Sequence, residues 1–185
     1  MIDLWEELYT DRLILRKMSF QDVDFIYKHF GDEEVCRYMV DNETVKTVEE
    51  ALDIIKWSHS NPEYPTNNRW LIIYTETNEP IGTIGYHRWD RNNRIAEIGY
   101  DLSQSYWKKG IMSEAMSKVL AFGFDKMELN RIQAFVHIEN TASYQILRRH
   151  GFYAEGIIRD MYLFRGKYHD HYMMSLLAKD YQTKH

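Results

Sequence analysis

The chain has 185 residues, of which 44% are hydrophobic, 28% are charged and only 3 are proline. This composition is typical of a folded domain and excludes a disordered or collagen-like chain. The net charge of -5 argues against a protein whose main task is to coat nucleic acid, so we expect no direct nucleic-acid partner. The length is that of one domain, and we expect a single domain over 1–185.

Hydrophobic periodicity divides the chain into strands and helices. A period of two is typical of strands with one buried face, and spacings of three and four are typical of helices with one buried face. The pattern predicts, in chain order, a strand over 12–16, helices over 22–30 and 47–57, a proline-containing loop over 58–69, strands over 70–74, 81–87 and 95–102, a helix over 111–127, a strand over 131–136, a helix over 140–150 and strands over 152–158 and 172–177. We therefore expect a mixed α/β domain with a mostly antiparallel sheet of about seven strands.

The cysteine content and the N-terminus favour a cytoplasmic location. Cys36 is the only cysteine, so it can form neither an internal disulfide nor a CxxC motif. The first seven residues carry acids where a secretory signal needs basic residues and then an apolar run. No segment approaches the roughly 20 apolar residues of a membrane span, so we expect no membrane partner.

The most informative segment leads from the strand that ends at Leu102 into the helix that begins near Ile111. Lys108, Lys109 and Gly110 lie between them. The first turn of a helix has free backbone N–H groups and the positive end of the helix dipole, which together favour a bound phosphate. A glycine there lets the backbone approach the anion closely. Because GxxxxGK[ST] and GxGxxG are both absent, ATP and NAD are disfavoured, and on this segment alone an ordinary solvated turn remains the alternative.

A second strand-to-helix turn follows about thirty residues later. There the strand 131–136 leads to Asn140 as a helix cap, and Ser143 stands three residues further on. Together with the RLILR run at 12–16 and the GKYHD run at 166–170, these motifs resemble the GNAT N-acetyltransferase superfamily, and within it the RimJ/RimL-like branch that acetylates ribosomal-protein N-termini. The resemblance covers nearly the whole chain. It implies helices on both faces of the sheet and a V-shaped splay between the parallel strands 95–102 and 131–136 that holds acetyl-CoA.

The resemblance also implies which residues bind the cofactor. The pantetheine arm would pair with the backbone of Tyr100 and Leu102, and Asn140 would contact CoA as well as cap its helix. The pyrophosphate would lie on the turn formed by Trp107, Lys108, Lys109, Gly110, Ile111 and Met112. This turn departs from the family signature Q/R-x-x-G-x-G/A at its first and last positions. Trp107 has no Gln or Arg head group, and Met112 is bulkier than Gly or Ala. The affinity for CoA is therefore open.

Ser143 matches the serine of the family's NxxS motif, which lies near the CoA sulfur. We expect it to stabilise the thiolate or act as general acid, and the alternative is a hydroxyl that only satisfies its own backbone. Many relatives carry a tyrosine four residues after this serine. Here that position is Leu147, so a tyrosine acid would have to come from elsewhere, and the direction of the adjacent Tyr144 is open.

Family members often carry, at this place on the splayed strand, an acid that takes the amine proton through water, so the resemblance makes Glu97 the first choice for the general base. A carboxylate in an apolar strand is costly to bury unless it is paired, so Glu97 is either functional or a residue at the solvent edge. The oxyanion would meet a backbone N–H around Ile98–Tyr100, where Gly99 could permit a bulge. Direct attack by the amine needs no covalent intermediate, so Cys36 is not expected to act as a nucleophile.

The C-terminal histidines suggest a metal site only weakly. His169 and His171 would share one face of a strand, but a third ligand is not evident. We therefore expect no metal, and we interpret this run as structural or as part of the acceptor rim.

The sequence thus predicts an acetyl-CoA-dependent N-acetyltransferase that acts on a primary amine, with the N-terminal α-amine of a ribosomal protein as the first hypothesis. Polyamines, aminoglycosides and amino acids remain alternatives, and the net charge of -5 would suit any cationic acceptor. A non-catalytic acyl-CoA sensor is the alternative from another class, suggested by the altered signature at Trp107 and Met112. Either a monomer or a homodimer is compatible with the sequence.

Overall fold

The computed structural model describes residues 3–59 and 66–183. Pro62 and Pro65 of the predicted loop lie outside these residues. The strands are β1 (Leu8–Tyr9), β2 (Leu13–Lys17), β3 (Asn68–Tyr74), β4 (Glu79–Asp90), β5 (Ile95–Leu102), β6 (Arg131–His137), β7 (Tyr153–Phe164) and β8 (Lys167–Leu177). The helices are α1 (Val23–Gly31), α2 (Val48–Ser58), α3 (Ile111–Ala121), α4 (Thr141–Arg149) and α5 (Ala178–Gln182).

The strands form one sheet in the order β1-β2-β3-β4-β5-β6-β8-β7. Among these described strands, β5 and β6 are the parallel neighbours, and the other neighbours are antiparallel. The predicted mixed, mostly antiparallel sheet is confirmed, but it has eight strands instead of about seven. The additional strand is Leu8–Tyr9, and two residues are too short to show an alternating pattern.

The last two strands are longer than the sequence predicts. They form a hairpin over Tyr153–Phe164 and Lys167–Leu177, whereas the pattern predicts 152–158 and 172–177. Register shifts near Gly156 and after Ile158 interrupt the alternation of side chains. β7 is also an edge strand with mostly exposed side chains, so its sequence lacks the apolar period that marks a buried strand.

Alternate residues of β3 belong to two separate cores, which places helices on both faces of the sheet. Leu71 and Ile73 pack with Ile26 of α1 and Ile55 of α2. Trp70 and Ile72 belong to the larger core on the other face, which also contains the buried side chains of α3 and Leu147 of α4. Because strand side chains alternate between faces, one strand can contribute to both cores.

The parallel strands β5 and β6 open into a V. They pair over Ile95↔Arg131, Ala96↔Ile132 and Glu97↔Gln133, and beyond Glu97 the register between them ends. β5 continues to Leu102 and β6 to His137. The predicted splay is therefore confirmed, and it begins directly after Glu97. No helix within residues 3–59 and 66–183 has the length and apolar character needed to cross a membrane.

Candidate active site

A groove with a volume of about 1670 Å³ begins between the separated ends of β5 and β6. It extends on one side to the turn before α3 and on the other side under the loop between α1 and α2. Every residue that the sequence analysis proposes for cofactor binding or catalysis, apart from Lys109, contributes to its wall. Lys109 lies within the same turn before α3.

The turn before α3 has the geometry of an anion site. Gly110 is the N-cap of α3 and has φ 76°, a left-handed conformation that glycine adopts without strain. A Cβ at this position would lie 3.6 Å from Arg12 Nη2, so space is available and the backbone angle is the constraint. The backbone N–H groups that follow Gly110 begin a helix and lack intrahelical acceptors. They are the donors that a pyrophosphate would use.

Positive charge surrounds this turn. The Lys108 and Lys109 side chains are exposed, and Lys109 Nζ lies 5.4 Å from the Tyr106 ring centre. Arg12 Nη1 donates to the carbonyl oxygen of Lys109 at 3.1 Å, and Glu114 in the first turn of α3 holds Arg12 at 2.7 Å. Sequence analysis treated Arg12 only as part of a strand motif. Its position beside Gly110 depends on the packing of the first strands against α3 and has no local signal.

The two departures from the family signature have different structural roles. Met112 is 5% exposed and belongs to the core, so its size is accommodated away from the anion site, and Ile111 is buried beside it. Both residues can therefore contribute backbone N–H groups. Trp107 is half-exposed, and its indole N–H donates to the carbonyl oxygen of Leu102 at 2.6 Å. The Leu102 carbonyl oxygen, a predicted pantetheine partner, therefore already uses one of its lone pairs.

The other wall of the V is formed by the start of α4. The Asn140 side chain accepts a hydrogen bond from Ser143 N at 3.1 Å, so the predicted helix cap is present. The Ser143 hydroxyl does not bond only to its own helix, because its oxygen lies 2.6 Å from the Tyr100 hydroxyl oxygen. Burial raises the pKa of Tyr100 well above its ordinary value near 10, against the opposing effect of the Ser143 hydrogen bond. The phenol therefore keeps its proton at neutral pH.

The other two α4 positions considered for an acid contribute no hydroxyl to the groove. Leu147 is fully buried in the larger core. The Tyr144 ring packs against Tyr172, with 5.0 Å between the ring centres.

Glu97 is buried on the opposite face of β5 from Tyr100 and is fully engaged. Its Oε1 lies 2.7 Å from His87 Nε2 and its Oε2 accepts from Arg88 Nη1 at 2.9 Å. His87 Nδ1 is buried and has no hydrogen-bond partner among the described residues. Glu97 was predicted on the strand that borders the V, but its partners were missed. Both partners stand on β4, where His87 is the register partner of Glu97 and Arg88 lies in the adjoining register shift between His87 and Asp90.

The expected bulge at Gly99 is not found. Gly99 pairs regularly with Gly85, and the register shift between β4 and β5 lies instead between His87 and Asp90. Gly99 has a different role, which is to leave space. A Cβ there would approach His87 Cε1 to 2.9 Å and Arg69 Nη1 to 3.0 Å, so a larger residue would require these two side chains to move.

Asp101 anchors a buried polar network on the same face as Glu97. Its carboxylate accepts from His29 Nε2 at 2.7 Å, from Arg69 Nη2 at 2.6 Å and from both the N–H and the hydroxyl of Thr83. Burial alone would raise the pKa of Asp101, but the charge of Arg69 and the hydrogen bonds outweigh it and hold the pKa well below the usual range. Arg69 Nε is also bonded, to Thr83 at 2.7 Å. Arg69 Nη1 is left without a partner among the described residues.

The histidines near the groove form a cluster of packed rings. His137 Nε2 lies 3.0 Å from His169 Nδ1, and the His171 ring packs against that of His137. Burial lowers the pKa of His137 and of His171. In the part of the chain that the structure describes, no group of three or more His, Cys, Asp or Glu side chains is arranged to hold a metal. Burial raises the pKa of the Cys36 thiol to about 12, so it is not ionised at neutral pH.

The fold defines the class of protein. The structure of a GNAT-family acetyltransferase from Bacillus anthracis matches with a TM-score of 0.80 and 26% identity, covering 94% of this chain and 99% of that one. The architecture is that of an acetyltransferase.

Sequence comparison identifies the family. The profile of the acetyltransferase (GNAT) domain matches residues 12–153. The uncharacterized N-acetyltransferase p20 of Bacillus licheniformis is 44% identical over 177 residues, which are 95% of this chain and 98% of p20. The chain therefore belongs to the GNAT acetyltransferase family, and it is an acetyl-CoA-dependent acyltransferase.

More distant relatives differ in the acceptor that their names give. The ribosomal-protein-serine acetyltransferase of Escherichia coli is 31% identical over 102 residues, which are 55% of this chain and 56% of that enzyme. The spermidine N(1)-acetyltransferase of Escherichia coli is 23% identical over 171 residues, 92% of this chain and 89% of that enzyme. The family assignment therefore leaves the acceptor open.

Proposed function

We propose that the protein transfers the acetyl group of acetyl-CoA to the α-amine of a peptide or protein N-terminus, as in the RimJ/RimL-like branch, with a ribosomal protein as the first candidate. Acetyl-CoA would lie along the free edge of β5, with Tyr100 and Leu102 as backbone partners and the pyrophosphate on the turn 107–112. The left-handed Gly110 and the free N–H groups behind it support this placement. A chain with one cysteine suits the reducing cytoplasm, where we propose that it acts.

In this mechanism the amine attacks the thioester directly. The nitrogen forms a bond to the carbonyl carbon, the amine proton leaves to the Glu97–His87 pair, and the C–S bond breaks with its electron pair on sulfur. Ser143 then stabilises the thiolate. The 2.7 Å contact between Glu97 and His87 supports a shared role, because a carboxylate that already accepts from Arg88 can fix the imidazole and share the incoming proton.

The position of Arg69 is the observation that favours an α-amine as the acceptor. Its Nη1 has no partner among the described residues and lies directly over Gly99, the β5 residue between Glu97 and Asp101. A guanidinium N–H donates only to acceptor atoms, and an α-amine in a peptide or amino acid has a carbonyl or carboxylate oxygen three bonds away. An acceptor amine near Glu97 could thus present its neighbouring oxygen to Arg69.

Polyamines have no such oxygen, and they need carboxylates instead. The inner carboxylates Glu97 and Asp101 are each paired with an arginine, at 2.9 Å from Arg88 and at 2.6 Å from Arg69. A cationic chain would have to displace these arginines, which is costly for buried charges. Because both inner carboxylates already have arginine partners, the site favours an α-amine over spermidine as the acceptor.

The experiment is a thiol-release assay with acetyl-CoA and a panel of acceptors: a peptide with a free N-terminal serine, the same peptide with a blocked α-amine, free amino acids, spermidine and an aminoglycoside. We expect turnover with the free peptide, none with the blocked peptide, and a value of kcat/KM for spermidine at least tenfold lower, about 1.4 kcal/mol. Preference for spermidine or the aminoglycoside would contradict the proposed acceptor. Acetyl-CoA binding without turnover on any acceptor would favour the sensor alternative.

A further inference from the structure

The Ser143 hydroxyl has a partner from another element. Tyr100 of β5 and Ser143 of α4 are 43 positions apart in sequence, yet their hydroxyl oxygens are 2.6 Å apart. The Tyr100 hydroxyl lies 3.4 Å from the Ser143 carbonyl oxygen, which is long for a hydrogen bond. The Ser143 hydroxyl is therefore the main partner of the Tyr100 hydroxyl.

Acidity decides which oxygen donates. A phenol is a stronger acid than an aliphatic alcohol, so the favoured arrangement has the Tyr100 O–H donating and the Ser143 oxygen accepting. The Ser143 proton is then free to point toward another acceptor. Without such a partner, a hydroxyl in the first turn of a helix commonly bonds to a nearby backbone group. Asn140 already caps the Ser143 N–H, so the backbone on which this hydroxyl stands is also fixed.

We propose that Tyr100 is a positioning residue whose hydroxyl donates to Ser143 and thereby directs the Ser143 proton at the sulfur of the leaving CoA thiolate. This inference rests on the proposed function, because it assumes that the thioester lies in the V. When the C–S bond breaks, its electron pair stays on sulfur and the Ser143 O–H donates a hydrogen bond to that sulfur. Tyr100 keeps its own proton throughout, which agrees with the raised pKa that burial gives it.

The neighbouring side chains do not offer a substitute. Leu147 has no hydroxyl and is fully buried, and the Tyr144 ring is held against Tyr172. Tyr100 and Ser143 are both partly buried on the groove wall, so the pair is reachable by a ligand between β5 and β6.

The test is a double-mutant cycle in the thiol-release assay. We expect Tyr100→Phe to lower kcat about tenfold while the KM for acetyl-CoA stays nearly constant, because one oriented hydrogen bond is lost and binding is kept. In the Ser143→Ala background the same change should have almost no further effect, since both substitutions remove one unit. Tyr144→Phe is the matched control, with the same atom removed from the next residue of α4, and it should retain wild-type kcat.

Each result is decisive. An unchanged kcat in Tyr100→Phe, or effects of Tyr100→Phe and Ser143→Ala that simply multiply, would overturn the role of Tyr100 while leaving acetyl transfer intact. A wild-type protein that releases no thiol with any acceptor would overturn the proposed function together with this inference.

A second measurement covers the case in which Tyr100→Phe does not fold. Site-specific 3,5-difluorotyrosine at position 100 keeps the shape of the ring and makes its hydroxyl more acidic. The phenol would then lose its proton, and its ability to donate, at lower pH. We expect kcat of this variant to fall at an alkaline pH at which the wild-type protein still turns over, because Tyr100 itself keeps its proton there. Identical pH profiles of kcat would overturn the proposal.

Discussion

The two faces of β5 differ in how they hold their polar groups. On the α3/α4 face, Tyr100 meets Ser143 as a pair of uncharged hydroxyls at the mouth of the V. On the α1/α2 face, Glu97 and Asp101 are charged, buried, and bonded on both oxygens. A buried charge is tolerated only when it is compensated, whereas a hydroxyl pair can gain or lose a ligand contact at small cost. We therefore expect substitutions on the charged face to affect stability more than those on the hydroxyl face.

The largest effect should come from Asp101→Asn. The change leaves Arg69 as a buried charge without its carboxylate, and removing one partner of a buried pair costs about 3–5 kcal/mol. The loss is measured as the free energy of unfolding in urea at pH 7. Asp53→Asn, which breaks the exposed pair with Lys56, is the control and should cause no measurable loss.

The pH dependence of the free energy of unfolding provides a second test of the charged face of β5. The pKa of Asp101 is lowered in the folded protein, so its contribution to stability is present above its ordinary pKa of 3.8 and is lost as pH falls toward the folded-state value. The wild-type protein should therefore lose stability more steeply on acidification than Asp101→Asn. Equal slopes would mean that Asp101 is not the charged anchor of this face.

The next effect is on turnover. Glu97→Gln keeps the shape of the side chain but removes the charge that holds His87 and the site that accepts the amine proton. We expect kcat to fall on the order of 10²-fold. Glu155→Gln, which disturbs a carboxylate paired with Arg131 at 2.7 Å outside the groove, should leave kcat unchanged. Similar losses in both variants would indicate a general effect of removing an ion pair.

The smallest effect concerns the anion site. Gly110→Asp places a negative charge at the helix N-terminus where the pyrophosphate would bind, and we expect the affinity for acetyl-CoA to fall at least about tenfold in calorimetry. Gly166→Asp is a close control, because Gly166 has φ 75° and open space around its Cβ position. It carries similar backbone strain but is not among the residues that line the groove, so it should leave the affinity unchanged.

The sequence predicts the parts of the site that depend on local chain order. Asn140 caps Ser143 three residues later, and Gly110 begins α3, because both features follow from the needs of a helix start. The V between β5 and β6 was predicted from the resemblance to the GNAT superfamily, not from the residue pattern. The partners of Glu97 were missed, because His87 meets it only through the pairing of β4 with β5 and Arg88 lies in the register shift that follows.

The other features that the sequence did not predict also lack a local pattern. Arg69 of β3 reaches Asp101 of β5 across the one strand between them, and Tyr100 reaches Ser143 across the V, so neither contact has a sequence spacing that could reveal it. Strand β1 was missed because a strand of two residues is too short to show an alternating pattern of apolar and polar side chains. Local signals therefore predict the elements and caps, and tertiary pairing decides which polar groups meet.

A crystal structure with bound acetyl-CoA would show where the thioester lies relative to Ser143. We expect the pyrophosphate on the backbone N–H groups after Gly110, the pantetheine arm along β5, and the sulfur within hydrogen-bond reach of the Ser143 hydroxyl, about 3.5 Å. A thioester bound away from the V, or a sulfur that faces Glu97 with Ser143 out of reach, would contradict this expectation.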